Sequence, residues 1–184
     1  MKKIMLILSF LGVLIIGNAQ IEKNELKLTL EITEMVVDFV FKGINFQSDK
    51  KLIDFGVKNR SQLMNLQLGK SIPVYSLTAN DTLKFLNRWR ILVMSDDEPI
   101  IFADVILADD GQYEVVNFGA AIWAEHIHNY EHKDLIVGFL SLRTNYLYIQ
   151  KDNQDIFVEV YDYATREWFK NEYSLSDIIN LRNK

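Results

Sequence analysis

From Leu28 onward the apolar residues Ile32, Met35, Val36, Phe39 and Val40 return every three or four positions, the period of a helix that buries one stripe. This spacing predicts a helix over residues 25–42, with Gly43 placed to supply the left-handed cap that ends it. Leu26, Leu28, Leu30 and Ile32 also alternate, so an extended start is the competing reading of the first turn. Further along, β-rich runs take over at residues 72–77, 89–95, 99–107 and 113–118, and again at 135–142, 145–150 and 156–163. Asp96-Asp97-Glu98 separates the second run from the third. Asp109-Asp110-Gly111 separates the third from the fourth, and Asp-Gly between β-rich runs is a strong hairpin signal. Pro73 has no N–H to donate to a ladder, which predicts an edge position for the first run.

Helical period reappears at residues 120–130, where Ile122, Trp123, His126, Ile127 and Tyr130 form a stripe suited to packing on a sheet. Ser174-Leu175-Ser176-Asp177 has the Ser-x-x-acid form of a capping box and predicts a short helix through Leu181. Residues 47–70 carry apolar positions without a clean period and receive no assignment. Antiparallel runs with helices set apart from them predict an α+β fold, an antiparallel sheet of meander-like hairpins packed with an N-terminal helix and a second helix near 120–131.

The register of one hairpin follows from its turn. A reversal centred on Asn153 and Gln154 sets Ile149 opposite Val158 and Leu147 opposite Val160. The other face then holds Tyr148 opposite Glu159 and Tyr146 opposite Tyr161, with Tyr163 two positions on. The aliphatic face is expected to be core, and the tyrosine face to meet solvent or a ligand.

The first nineteen residues change the setting of this domain. Lys2 and Lys3 precede an apolar run over residues 4–16, and Gly17 and Ala19 are small where a leader peptidase cuts, so residues 1–19 read as a signal peptide and residues 20–184 as a single domain. As a helix the run spans about 20 Å, short of the roughly 30 Å of a bilayer core, so no stable membrane anchor is expected after cleavage. An exported product, periplasmic or extracellular, follows from that reading. The chain has no cysteine, so neither disulfides, thiolate chemistry nor a lipid-modified cysteine is available, and a domain of this size must be held by apolar packing.

Net charge is −5, and two of the 20 basic residues leave with the leader. That sign argues against nucleic acid as a partner. The densest basic spot, Arg88-Trp89-Arg90, reads as a strand with its indole inward and its guanidinium groups in water.

Two constellations are candidates for function. Tyr146, Tyr148, Tyr161 and Tyr163 with Glu159 combine stiff aromatic area with hydroxyls and one carboxylate, a set suited to a protein, peptide or glycan; strand propensity alone also accounts for them. The second, Glu125-His126-Ile127-His128-Asn129-Tyr130-Glu131-His132, holds all three histidines. On a helix Glu125, His128 and His132 share a stripe and offer a carboxylate and two imidazoles to zinc or iron, while a solvated polar face opposite a stripe containing His126 is the plainer account. The acidic groups at residues 96–98, at 109–110 and at Asp152 with Asp155 fit turn chemistry, and no calcium loop, nucleophile elbow or phosphate loop is present. The expectation is an exported, non-catalytic domain without cofactor that binds a protein, peptide or glycan as an inhibitor or accessory protein. The rival is an exported metal-dependent hydrolase built on Glu125, His128 and His132.

Overall fold

The computed structural model describes residues 24–130, 136–142, 144–152, 154–162 and 164–183. The expected leader, His132 and Tyr163 lie outside them.

Helix α1 (Leu30–Asn45) forms where the helical stripe lies, with Ile32, Val36, Val40 and Ile44 buried one turn apart. Thr29 caps it by accepting from the Ile32 N–H at 3.3 Å. Residues 24–29 precede the helix and belong to no helix or strand, with Leu26 buried and Leu28 half-buried between exposed neighbours, so the helix begins later than its period suggested. It also passes through Gly43 without stopping. A Cβ at Gly43 would collide with the Phe118 ring, so this glycine serves close approach of helix and sheet, and the expected cap is not its role.

The stretch without period is a short helix α2 (Asp49–Leu52) followed by two 3₁₀ turns, Ile53–Phe55 and Arg60–Asn65. Arg60 ties this segment together, donating to the Asp49 carboxylate at 2.7 Å and to the carbonyls of Asn45 and Gln47 at 2.8 and 2.7 Å. Such a long-range clamp has no periodic signature.

The strands are β1 (Leu66–Leu77), β2 (Leu83–Ser95), β3 (Glu98–Leu107), β4 (Tyr113–Gly119), β5 (Ile136–Ser141), β6 (Asn145–Lys151), β7 (Gln154–Glu159), β8 (Tyr161–Asp162), β9 (Glu167–Trp168) and β10 (Glu172–Tyr173). Among the described residues, eight of them form one sheet in the order β10-β7-β6-β5-β1-β2-β3-β4, and β8 and β9 pair as a separate ribbon. The fold is thus α+β with a mostly antiparallel sheet. β1 to β4 meander outward, then helix α3 (Ala121–Asn129) returns the chain to the other side of β1, where β5 joins it in parallel at Val74 and Tyr75. β1 is therefore central, against the edge position expected from Pro73. The proline is tolerated because the pairing of β1 with β2 shifts register between Pro73 and Tyr75.

Both faces of the sheet are covered. On one, α1 packs over Trp89, Ile91, Val93, Ile101, Ala103 and Val105, and helix α4 (Leu175–Arg182) covers Tyr75, Leu140, Tyr146, Tyr148 and Phe157. On the other, α3 and the β8–β9 ribbon lie over Ile72, Val74, Leu92, Phe102, Phe139, Leu147, Ile149 and Val158. A bulge between Leu68 and Ser71 lets Leu68 and Ile72 face opposite cores despite their even spacing.

The β6–β7 hairpin differs from its expected register by two residues. Ile149 faces Ile156, Leu147 faces Val158, Tyr148 faces Phe157 and Tyr146 faces Glu159. Lys151 pairs with Gln154, and Asp152 has a positive φ of 52°, the conformation that tight hairpin turns favour. Because side chains alternate with period two, this even slip preserves the aliphatic and aromatic faces.

Candidate functional site

Tyr146 and Tyr148 do not form a free surface. They are 6% and 0% exposed, enclosed beneath α4, whose Ile178 is fully buried against them. The Tyr148 hydroxyl donates to Asp155 at 2.7 Å, and its ring meets Tyr75 edge-on at 6.1 Å. Gly138 makes room, since a Cβ there would stand 2.5 Å from the Tyr75 ring. The main ladder of β7 ends at Glu159, and Tyr161 belongs to the β8–β9 ribbon, with its ring 4.8 Å from that of Trp168, which packs on the opposite core. The expected contiguous patch is therefore divided between the two faces of the sheet.

What survives is a cleft of about 350 Å³ at the margin of α4, lined in part by Thr144, Tyr146, Glu159, Tyr173 and Arg182. Glu159 is half-buried at the end of β7. Its Oε2 accepts from Asn171 at 3.0 Å and from the Tyr173 hydroxyl at 3.3 Å. No hydrogen bond to Oε1 is made among the described residues. Tyr146 and Tyr173 stand edge to face at 5.8 Å. Burial, and then the Glu159 charge, hold both phenols above the ordinary tyrosine range, so each keeps its proton beside the carboxylate. Arg182 is anchored, donating to the Thr78 carbonyl at 2.6 Å and pairing with Asp81.

Of this cleft, the sequence pointed to Tyr146 and Glu159 but missed Thr144, Tyr173 and Arg182. A signal for Tyr173 was present. Ser174 and Asp177 form the expected capping box, which places Tyr173 immediately before the cap and Ile178 at the fourth helical position, the arrangement of a hydrophobic staple.

The second candidate cluster lies on α3. Glu125 is exposed, His128 is half-buried, and both line a cleft of about 400 Å³ with Lys58, Asp97, Glu98 and Asn129. Lys58 pairs with Glu98 at 2.6 Å, and that partner raises its ammonium above the ordinary range. Among the described residues, no three His, Cys, Asp or Glu side chains are grouped to hold a metal ion. His126 turns away and stacks on Trp168 at 3.9 Å and 14°.

The Arg-Trp-Arg triplet also differs from expectation. Trp89 is inward, 6% exposed, and its indole N–H donates to the Asn24 carbonyl at 2.6 Å. The two arginines do not simply face water: Arg88 and Arg90 converge on Asp104, itself 3% exposed, at 2.5 and 3.0 Å. Arg90 additionally lies 4.4 Å over the Phe139 ring. Asp96 and Asp97 sit at a turn in left-handed conformation, and Asp110 accepts from the Gln112 N–H at 2.9 Å, but of the pair Asp152 and Asp155 only Asp152 is in the turn: Asp155 lies within β7 and accepts from the Tyr148 hydroxyl. No protein family, curated protein or solved structure matches this chain.

Proposed function

We propose that this chain is an exported, non-catalytic domain that binds a glycan or peptide of another molecule at the Glu159 cleft, as an inhibitor or accessory protein. The observation that carries the reading is the half-buried Glu159 carboxylate, with both of its donors on one oxygen, set beside Thr144 and the edge-to-face rings of Tyr146 and Tyr173. A carboxylate oxygen accepts from sugar hydroxyls or peptide N–H groups, phenols donate to them, and ring faces cover their apolar surfaces. Export rests on the leader pattern of residues 1–19 and is consistent with a chain that has no thiol to oxidise.

Arrays of glycans and of peptides, probed with the purified protein and with Glu159→Gln and Tyr173→Phe, test this reading. A ligand class bound by the parent and lost in Glu159→Gln, with the melting temperature within about 4 °C, is the expected result. Equal capture by parent and both variants, or no capture at all, refutes it. The hydrolase alternative has less support, because Glu125 and His128 share their cleft with an ion-paired Glu98 and gain no grouped third ligand among the described residues. Stoichiometric zinc or iron in protein purified without an affinity tag, lost in His128→Ala, would revive it.

A further inference from the structure

The eight-stranded sheet ends in β4, and among the described residues no strand pairs along its outer side. Beside that edge, on the α1 face, lies an open groove of about 530 Å³ whose apolar lining is Met35, Phe39, Gly43, Val115 and Phe118. None of the lining residues adjoins a segment outside the described ones. The groove has a local cause. Because Gly43 brings no side chain, the Phe118 ring sits against α1, edge-on to Phe39 at 5.8 Å and tilted against Phe55 at 5.7 Å. Phe39 is left in the groove wall with 38% of its surface open, and Val116 on the same strand edge is 44% exposed. Apolar surface gathered in this way marks a contact site.

Two features choose the occupant. Asp104 pairs with Asn117 and Val105 with Val115, so Val116 is an extra residue and β4 bulges. A bulge blunts an edge against a further strand, so an extended peptide meets a broken ladder, whereas a helix needs only side chains to rest on. The second feature is charge. Asp38 and Lys42, at the rim, pair at 2.7 Å yet remain 59% and 67% exposed, so the carboxylate and the ammonium each keep bonding capacity on the open side. Opposite charges one turn apart on a helix are complementary to an antiparallel copy of themselves. A twofold axis level with Val40 sets each Asp38 beside the other copy's Lys42, while a parallel pairing sets like against like. The same antiparallel placement holds the exposed Glu34 carboxylates of the two helices about 18 Å apart along their axes.

We propose that this groove is the contact between two copies of the chain, with α1 packed antiparallel on α1 of the second copy. Phe39 of each copy sits in the groove of the other, and the two Asp38 and Lys42 pairs join into a square of alternating charge. The apolar groove supplies the affinity and the charges fix the register. The Glu159 cleft lies toward the β10 end of the sheet, so neither reading depends on the other.

Sedimentation velocity of the purified protein at concentrations up to about 0.5 mM tests the proposal, since contacts below about 1,200 Å² associate weakly. A reversible step from one copy to two is expected. Lys42→Asp sets carboxylates against carboxylates, and Asp38→Lys sets ammonium groups against ammonium groups. Either change alone should weaken self-association about tenfold or more, because two attractive contacts become repulsive. An equimolar mixture of the two variants should associate at least as tightly as the parent, each chain then meeting the opposite charge. Both positions are exposed, so the far-ultraviolet circular dichroism spectrum should not change. A parent that stays single at every concentration, a variant that self-associates as tightly as the parent, or a mixture no tighter than either variant alone overturns the proposal.

Discussion

Replacing Tyr148 distinguishes a ring that fastens the sheet to α4 from one that meets a partner. The ring is fully buried, stacks on Phe157 at 5.3 Å and lies edge-on to Tyr75. Its removal in Tyr148→Ala deletes an aromatic from a packed core, a change worth about 3–5 kcal/mol. Tyr148→Phe keeps the ring and removes only the 2.7 Å hydrogen bond to Asp155. A bond to a charged acceptor is worth about 1.5–3 kcal/mol net, and half-buried Asp155 recovers part of that from water, so about 1–2 kcal/mol is expected. With a urea m value near 2 kcal/mol/M, the midpoint should fall by about 0.5–1 M for the phenylalanine variant and by about 1.5–2.5 M for the alanine variant. Tyr161→Ala, on the half-buried ribbon, should cost less than either.

The same variant carries a pH signature. Burial, and then the Asp155 hydrogen bond and charge, push the Tyr148 phenol well above its ordinary range. The unfolded phenol ionises near pH 10, so above that pH the unfolded state has lost a proton that the folded state still holds. Stability linked to this group is complete below about pH 10 and declines by about 1.4 kcal/mol per pH unit above it, until the folded phenol ionises too. Tyr75, Tyr146 and Tyr173, also shifted upward chiefly by burial, add to the slope. Tyr148→Phe lacks one contributor, so its deficit at pH 8 should shrink by roughly 1 kcal/mol at pH 11. A midpoint for Tyr148→Ala within about 0.3 M of the parent, or a deficit for Tyr148→Phe that is constant with pH, refutes the reasoning.

Other changes probe the remaining contacts. Asp104→Ala strands Arg88 and Arg90 and should cost about 3–5 kcal/mol by urea unfolding, whereas the triple change Arg88→Met, Asp104→Leu and Arg90→Met should recover most of that loss. Gly43→Ala gains up to about 1 kcal/mol of helix propensity yet meets the Phe118 ring, so calorimetry should show a net loss of about 1–2 kcal/mol that reverses to a gain in a Phe118→Leu background. Ser174→Ala removes the oxygen that accepts from the Asp177 N–H at 3.2 Å and should cost about 1 kcal/mol, with faster amide hydrogen exchange across α4.

Elements whose signals are local were legible before coordinates. The stripe from Ile32 to Ile44, the Asp-rich reversals, the period of α3 and the capping box at Ser174 each depend on a few neighbouring residues, and each appears in the fold. What was not legible depends on distant partners. Pro73 signals only a missing donor, and a register shift against β2 accommodates that missing donor in mid-sheet as well as an edge would. Arg88 and Arg90 look solvent-bound until Asp104, on the neighbouring strand, is placed beneath them. The 3₁₀ segment is gathered by Arg60, whose acceptors lie 11–15 residues earlier.

The tyrosine face shows why alternation between aliphatic and aromatic residues is a different signal from alternation between apolar and polar ones. A strand with one wet face alternates apolar with polar, whereas a strand buried on both faces is apolar throughout. In β6, Tyr146, Leu147, Tyr148 and Ile149 are consecutive and all large, which is the second pattern once a phenol is counted by its ring. Each hydroxyl then needs only one partner, and Tyr148 finds Asp155 on the adjoining strand. The staple of Tyr173 on Ile178 indicates which helix supplies the cover, because a residue that fixes the entry angle of α4 also brings its apolar side down onto the same rings. The even register slip left this inference intact, since only an odd one would have mixed the faces. The proposed recognition therefore belongs to the rim where Glu159 reaches the end of β7, and the rings beneath α4 hold that rim in place.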